Sequence, residues 1–120
     1  QIITDLELTI VQYPKVYMES IFYNLISNAL KYSKQNESPI IQISSNIIND
    51  KAGLRFKDNG MGINLLRYGT QIFKLNKVFH KGFDSKGVGL FMTKNQIETF
   101  GGSIVVESKP DHGAEFTIIL

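Results

Sequence analysis

The stretch Asn24-Leu25-Ile26-Ser27-Asn28-Ala29-Leu30-Lys31-Tyr32 decides how the rest of the chain is read. It forms the last turns of an amphipathic helix expected from Pro14 to about residue 34. A proline suits a first helical turn, where its missing N–H costs nothing. At 3.6 residues per turn, Asn24, Asn28, Lys31 and Tyr32 fall on one stripe. Met18, Phe22, Leu25, Ile26 and Ala29 fall beside it and make the core face. An amide oxygen is a neutral ligand for a hard cation that keeps most of its waters and bridges to phosphates. A lysine one turn on holds a phosphate as a point charge. A merely solvated polar face is the other reading of that stripe.

Working outward, the N-terminal segment offers short strands around Ile2-Ile3 and Thr9-Ile10-Val11. Ser33, Asn36 and Pro39 punctuate the helix end. The β-branched run 40–48 and the segment 54–58 read as a hairpin around Asn49-Asp50-Lys51-Ala52-Gly53. In the return strand Leu54, Phe56 and Asp58 share one face by the period of two. Asp58 therefore points to the apolar side, where an unpaired carboxylate is costly. Either it caps the following turn, or it is kept for an N–H group of a ligand, such as an exocyclic amine. Asn59-Gly60-Met61-Gly62-Ile63 follows, with two glycines that permit close backbone approach or positive φ.

Residues 64–86 show poor periodicity. A structureless loop of about twenty residues inside a compact domain points to a lid or binding loop. Its bounds are expected near 65 and 86, with Phe73 and Phe79 packing part of it down. Lys86-Gly87-Val88-Gly89-Leu90 then opens a second helix, running to about Phe100 and ended by Gly101-Gly102. A glycine-rich turn at a helix start offers free N–H groups and a favourable dipole to an anion. Residues 103–108 and 114–120 form a closing hairpin around Lys109-Pro110-Asp111-His112-Gly113.

The bulk properties bound the class. At 120 residues, with 42% hydrophobic and 20% charged side chains, the chain is one ordinary globular domain spanning 1–120. The absence of cysteine excludes disulfides and thiolate chemistry. A net charge of +2, with no aromatic-laced basic stripe, gives no case for nucleic acid. No apolar run reaches the length of a membrane span, so no direct membrane contact is expected. The abrupt apolar start, Gln1-Ile2-Ile3, suggests a domain cut from a longer protein.

Four segments in fixed order, 24–32, 58–63, the Phe73 region and 87–90, resemble the ATP-binding domain of sensor histidine kinases. That family sits in the wider group, known for the Bergerat fold, that includes gyrase and the heat-shock chaperone ATPases. The resemblance covers nearly the whole chain. It implies an α/β two-layer sandwich: a mixed, mostly antiparallel sheet of about five strands with helices on one face. ATP would lie between helices, sheet and lid.

By that resemblance Asn28 binds Mg²⁺ with Asn24 assisting. Lys31 and Tyr32 reach the phosphate and ribose side, and Asp58 accepts from the adenine amino group. Gly60, Gly62 and Ile63 line the base. Gly87, Val88, Gly89 and Leu90 cradle phosphates, with Lys77 or Lys86 supplying charge. The family often has a phenylalanine where Asn76 stands and an arginine where Val78 stands. Lys77, Lys81 or Lys86 would then supply the charge without an arginine's bidentate fork. Gly113-Ala114 stands where a glycine and a hydroxyl residue are usual. These departures put in question a water-mediated contact to adenine, the strength of ATP binding and the role of the lid.

The two histidines, His80 and His112, lie in the expected lid and a hairpin turn, not on a helix beside an acid. The phosphorylated histidine is therefore expected on a separate dimerisation domain of the same protein. The implied protein is a cytoplasmic catalytic domain within a homodimer, membrane-anchored or not, serving a response regulator receiver domain. An ATP hydrolase of the gyrase or chaperone type is the first alternative. Those enzymes place a glutamate where Asn24 stands, and serine-directed kinases of the group also tend to have an acid there. An amide cannot act as a base near neutral pH, which favours transfer. A binding module that has lost turnover is the other alternative, and Val78 and Ala114 are its support.

Overall fold

The computed structural model describes residues 1–63, 73 and 89–120. The expectations that rest on Leu65, Asn76, Lys77, Val78, Phe79, His80, Lys81, Lys86, Gly87 and Val88 lie outside these residues.

The sheet is built from β1 (Ile2–Leu6), β2 (Ile41–Ile48), β3 (Lys51–Asp58), β4 (Ser103–Ser108) and β5 (Ala114–Ile119), in the order β1-β2-β3-β5-β4. The β1–β2 pair is parallel and the other three pairs are antiparallel. The β2–β3 turn is tighter than the sequence suggests. Ile48 pairs with Lys51, so only Asn49 and Asp50 form the loop. Both have positive φ, 51° and 64°. Such a two-residue turn matches strand twist, and Asn and Asp tolerate the left-handed region. Residues 51–53, expected in the turn, are therefore strand.

Period-two alternation gives the sheet one apolar face. Ile43, Phe56, Phe116 and Val106 form one cross-strand row, and Ser45, Leu54, Ile118 and Ile104 the next. Asp58 pairs with Ile41 one row beyond Phe56, on this same face. The opposite face carries Gln42, Ser44, Asn46, Arg55, Lys57, Glu115 and Thr117, none of them buried. There Arg55 Nη1 donates to Asn46 Oδ1 at 3.3 Å.

Helices α1 (Lys15–Lys31) and α2 (Gly89–Thr99) cover the apolar face. Pro14 is the capping residue just before α1 rather than its first turn. The innermost line of α1 is Ile21, Leu25 and Ala29, spaced by four. Ile21 is fully buried, while Met18, Phe22 and Ile26 flank the line as partly buried residues. Phe22 meets Phe56 edge to face, with centroids 5.0 Å apart. Ile97 of α2 is also fully buried, and Phe100 just beyond packs on Tyr13 and Tyr17.

Residues 9–11 are not a strand. The buried Ser45 hydroxyl accepts from the Leu8 N–H at 3.0 Å and donates to the Leu8 carbonyl at 2.6 Å. It satisfies both backbone groups at the point where the chain leaves the sheet, as a buried peptide requires. No helix among the described residues is long and apolar enough to cross a membrane.

Candidate functional site

α1 runs beside two different structures, and the candidate residues divide between them. Along its middle lies the start of α2. Beyond its C-terminal end lie the 58–63 loop and the 109–113 turn.

At the helix pair, Asn24 and Asn28 are half-buried, one turn apart on the same side of α1. Asn24 Nδ2 donates to Thr93 Oγ1 at 3.1 Å. Thr93 Oγ1 in turn donates to the Gly89 carbonyl at 2.8 Å. Among the described residues, a methyl built on Gly89 would meet only Asn24 Oδ1, 4.0 Å away. The Asn24 carbonyl therefore faces the N-terminal residue of α2, where helix N–H groups and dipole favour an anion. Leu90 is partly buried against the core. Lys31 is exposed in the last turn of α1. Among the described residues the Asn28 side-chain amide makes no hydrogen bond, which leaves its oxygen available.

At the other end, the backbone is tightly interlocked. Met61 N–H donates to the Tyr32 carbonyl at 2.9 Å, and Asp111 N–H to the Met61 carbonyl at 2.7 Å. Ser108 Oγ accepts from the Ile63 N–H at 2.8 Å and donates to the Gly113 carbonyl at 2.6 Å. Lys34 Nζ reaches the Asp111 carbonyl at 2.7 Å.

The glycines explain the fit. A Cβ on Gly60 would stand 2.7 Å from the Tyr32 carbonyl oxygen and 2.9 Å from Asp58 Oδ1. Gly62, at φ +73°, would drive a Cβ into the Lys109 carbonyl, and Gly113, at φ +74°, into the Asp58 carbonyl. The close approach foreseen for Gly60 and Gly62 is thus met by protein backbone. Ile63 is buried in the core behind them.

Asp58 stands at the meeting point of these parts. Its Oδ1 accepts from the Gly60 N–H at 2.9 Å, the turn-capping bond that the sequence offered as one reading. Burial raises its carboxyl above the ordinary carboxylate range, against the opposing pull of the Gly60 and Ala114 N–H groups. A carboxylate has about four lone-pair sites, so the cap leaves acceptor capacity for a ligand amine. Ala114 is buried and brings no hydroxyl. The nearby Ser108 hydroxyl is committed to Ile63 and Gly113 and does not replace it.

Phe73 packs edge to face on Phe116, at 6.4 Å between centroids, under the Lys94 ammonium at 5.4 Å. This is the packing expected of it. Two contributors escaped the sequence reading. Thr93 is fully buried and holds Asn24. Lys34 ties the α1 end to the 109–113 turn. Neither belongs to a periodic or glycine-rich pattern, and only the meeting of distant segments reveals them.

Comparison with known proteins bears on the family and the fold. The family described as histidine kinase-, DNA gyrase B-, and HSP90-like ATPase matches residues 15–120. The sensor protein SrrB of Staphylococcus aureus (strain NCTC 8325 / PS 47) is 35% identical over 106 residues, 86% of this chain. The match spans 18% of that protein's length. Among solved structures, the mycobacterial sensor histidine kinase MprB superposes with a TM-score of 0.81 at 20% identity. That match covers 99% of this chain and 82% of the MprB chain. Full-length ShkA in complex with AMPPNP gives a TM-score of 0.79 at 20% identity, over 99% of this chain and 25% of its own. At that identity the two structures attest the fold.

Proposed function

The chain belongs to the family of histidine kinase-, DNA gyrase B- and HSP90-like ATPases, and from that premise we propose that it is the ATP-binding catalytic domain of a sensor histidine kinase. It binds Mg²⁺-ATP and donates the γ-phosphate to a histidine on a separate dimerisation domain, in a homodimeric protein. A response regulator receiver domain then takes the phosphoryl group. The placement is cytoplasmic.

One observation carries this reading. Asn24 and Asn28 lie one turn apart on α1, Asn24 beside Gly89, and Asp58 lies past the C-terminal end of the same helix. Asp58 offers a carboxylate to an adenine amine. Asn24, Asn28 and the start of α2 offer neutral oxygens and helix N–H groups to a cation and phosphates. Among the described residues no group of three His, Cys, Asp or Glu side chains could cage a metal. A metal here would be held by amide oxygens, water and the nucleotide's own phosphates, as suits Mg²⁺. Bound there, Mg²⁺ would neutralise charge on the transferring phosphoryl group. Gly62, Ile63, Tyr32, Lys31, Leu90, Lys77, Lys86, Gly87 and Val88 are assigned to the same site from the motif.

Asn24 also supports transfer over hydrolysis. An amide has no basic lone pair to deprotonate water near neutral pH. Its N–H is moreover already donated to Thr93.

Calorimetric titration tests the proposal. ATP is expected to bind more tightly with Mg²⁺ than in EDTA, and GTP to bind poorly, since guanine presents a carbonyl to Asp58. Incubation with γ-labelled ATP is expected to leave this domain without stoichiometric phosphohistidine. Equal affinity for ATP and GTP, or full labelling of His80 or His112, would sink the reading.

A further inference from the structure

Thr93 lies on α2, has no ionisable group and is fully buried, so nothing in the nucleotide motifs points to it. Its hydroxyl nevertheless joins the two helices that border the phosphate end. A hydroxyl has one proton. Here that proton goes to the Gly89 carbonyl four residues back, at 2.8 Å. The oxygen is left as an acceptor, and the group 3.1 Å away must be a donor. Of the two ends of the Asn24 amide, only the NH₂ satisfies that demand. The carbonyl oxygen is then forced to the opposite side, toward the first residue of α2.

We propose that Thr93 is the positioning residue for Asn24, holding its amide in the one orientation that presents oxygen rather than NH₂ to the cation that accompanies a bound nucleotide. This rests on the reading of Asn24 and Asn28 as contributors to Mg²⁺-ATP binding. The same arrangement disfavours a carboxylate at position 24. A carboxylate would need the hydroxyl proton for itself, and the Gly89 carbonyl would lose its partner at the helix start. The same hydroxyl also couples the two helices. Any movement of the α2 N-terminus carries the Gly89 carbonyl, and with it the Thr93 proton that sets the amide.

The test compares wild type with Thr93→Val, which keeps the shape and loses the hydroxyl, and with Thr93→Ser, which keeps the hydroxyl and loses a methyl. ATP affinity is measured by calorimetry with Mg²⁺ and with EDTA. Thr93→Val is expected to lose about three- to tenfold of the affinity gained from Mg²⁺, the scale of one hydrogen bond. Affinity in EDTA should stay unchanged, and Thr93→Ser should restore the Mg²⁺ gain. Equal losses in Val and Ser, or equal losses with and without Mg²⁺, would reduce Thr93 to core packing and overturn the proposal.

The nucleotide-free protein gives a second readout by NMR of the Asn24 side-chain amide. One of its protons should be protected from exchange in wild type and Thr93→Ser and exposed in Thr93→Val. Free exchange of both protons in wild type overturns the proposal even if the valine variant does not fold. A wild type with no Mg²⁺ gain at all would instead defeat the metal reading, while the amide protons still decide whether Thr93 sets Asn24.

Discussion

The two ends of the proposed nucleotide site are built on different principles. At the base end, Asp58 sits where three backbone segments lock together through the Tyr32, Met61, Lys109 and Gly113 peptide groups. At the phosphate end, Asn24 and α2 are joined by side chains, through one threonine hydroxyl. A backbone-built end couples function to folding, because its glycines and turns cannot change without moving the chain. A side-chain-built end separates them, because an amide or hydroxyl is removable while the helices stay packed on Ile21 and Ile97. The sharpest way to break this comparison is to make the same substitution at a glycine of each end.

Gly62→Ala is expected to have the largest effect. It adds positive-φ strain to a collision with the Lys109 carbonyl, for a loss of about 2–4 kcal/mol. A thermal melt should fall by about 10 °C or more. Gly89→Ala adds the same methyl at the other end, where among the described residues only Asn24 Oδ1 lies within 4.0 Å. Alanine is no worse than glycine in a helix, so the melt should not fall. Comparable destabilisation by both substitutions would show that the phosphate end is backbone-built too.

Asp58→Asn comes next. The proposed charge-assisted hydrogen bond to the base would contribute about 1.5–3 kcal/mol. Its loss should weaken ATP binding about ten- to a hundredfold by calorimetry. Asn28→Ala should remove most of the affinity gained from Mg²⁺, about tenfold, and leave binding in EDTA intact. Asn28 is only half-buried and its amide bonds to no described side chain, so the fold should survive. If Asn28→Ala unfolds the domain, the separation of function from folding at this end is wrong.

These differences also explain what was legible in the sequence. The core stripe of α1, the inward Asp58 and the hairpins were readable because periodicity and turn chemistry are local. Even so, Ile21 was missed beside Phe22 and Ile26. A stripe with an apolar residue at nearly every position does not mark its own centre, and the packing partner chooses it. Lys51, Ala52 and Gly53 look like loop in the sequence, yet pairing with Ile48, Ile47 and Asn46 makes them strand and leaves only Asn49-Asp50 as the turn. Residues 9–11 looked like strand until a buried serine 37 residues from Leu8 took its backbone groups. Gly60 and Gly62 were recognised as places of close approach, but what approaches them comes from 32 and 109. Thr93 was invisible for the same reason: its partner Asn24 is 69 residues away.

The smallest expected effect concerns stability, and it bears on whether Asp58 is held for the fold or for a ligand. Burial, the dominant influence, raises its carboxyl above the ordinary range, while the N–H groups of Gly60 and Ala114 pull the other way. The native state therefore holds this proton more tightly than the unfolded chain, whose aspartate titrates near pH ~4. Between that pH and the raised native value the native state binds more protons, so stability falls as pH rises through the window. Above the window the penalty on the ionised form persists, and below pH ~4 it vanishes. Asp58→Asn carries no such proton, and every other carboxylate is common to both proteins. The melting temperature of the asparagine variant should thus gain on wild type as pH is raised from below the window to neutrality. The same variant that loses ATP would then be relatively more stable at neutral pH, the signature of a charge kept for a ligand against the interest of the fold. A gap that narrows with rising pH would mean that the Gly60 and Ala114 bonds outweigh burial, and that the carboxylate, like the glycines around it, belongs to the backbone lock.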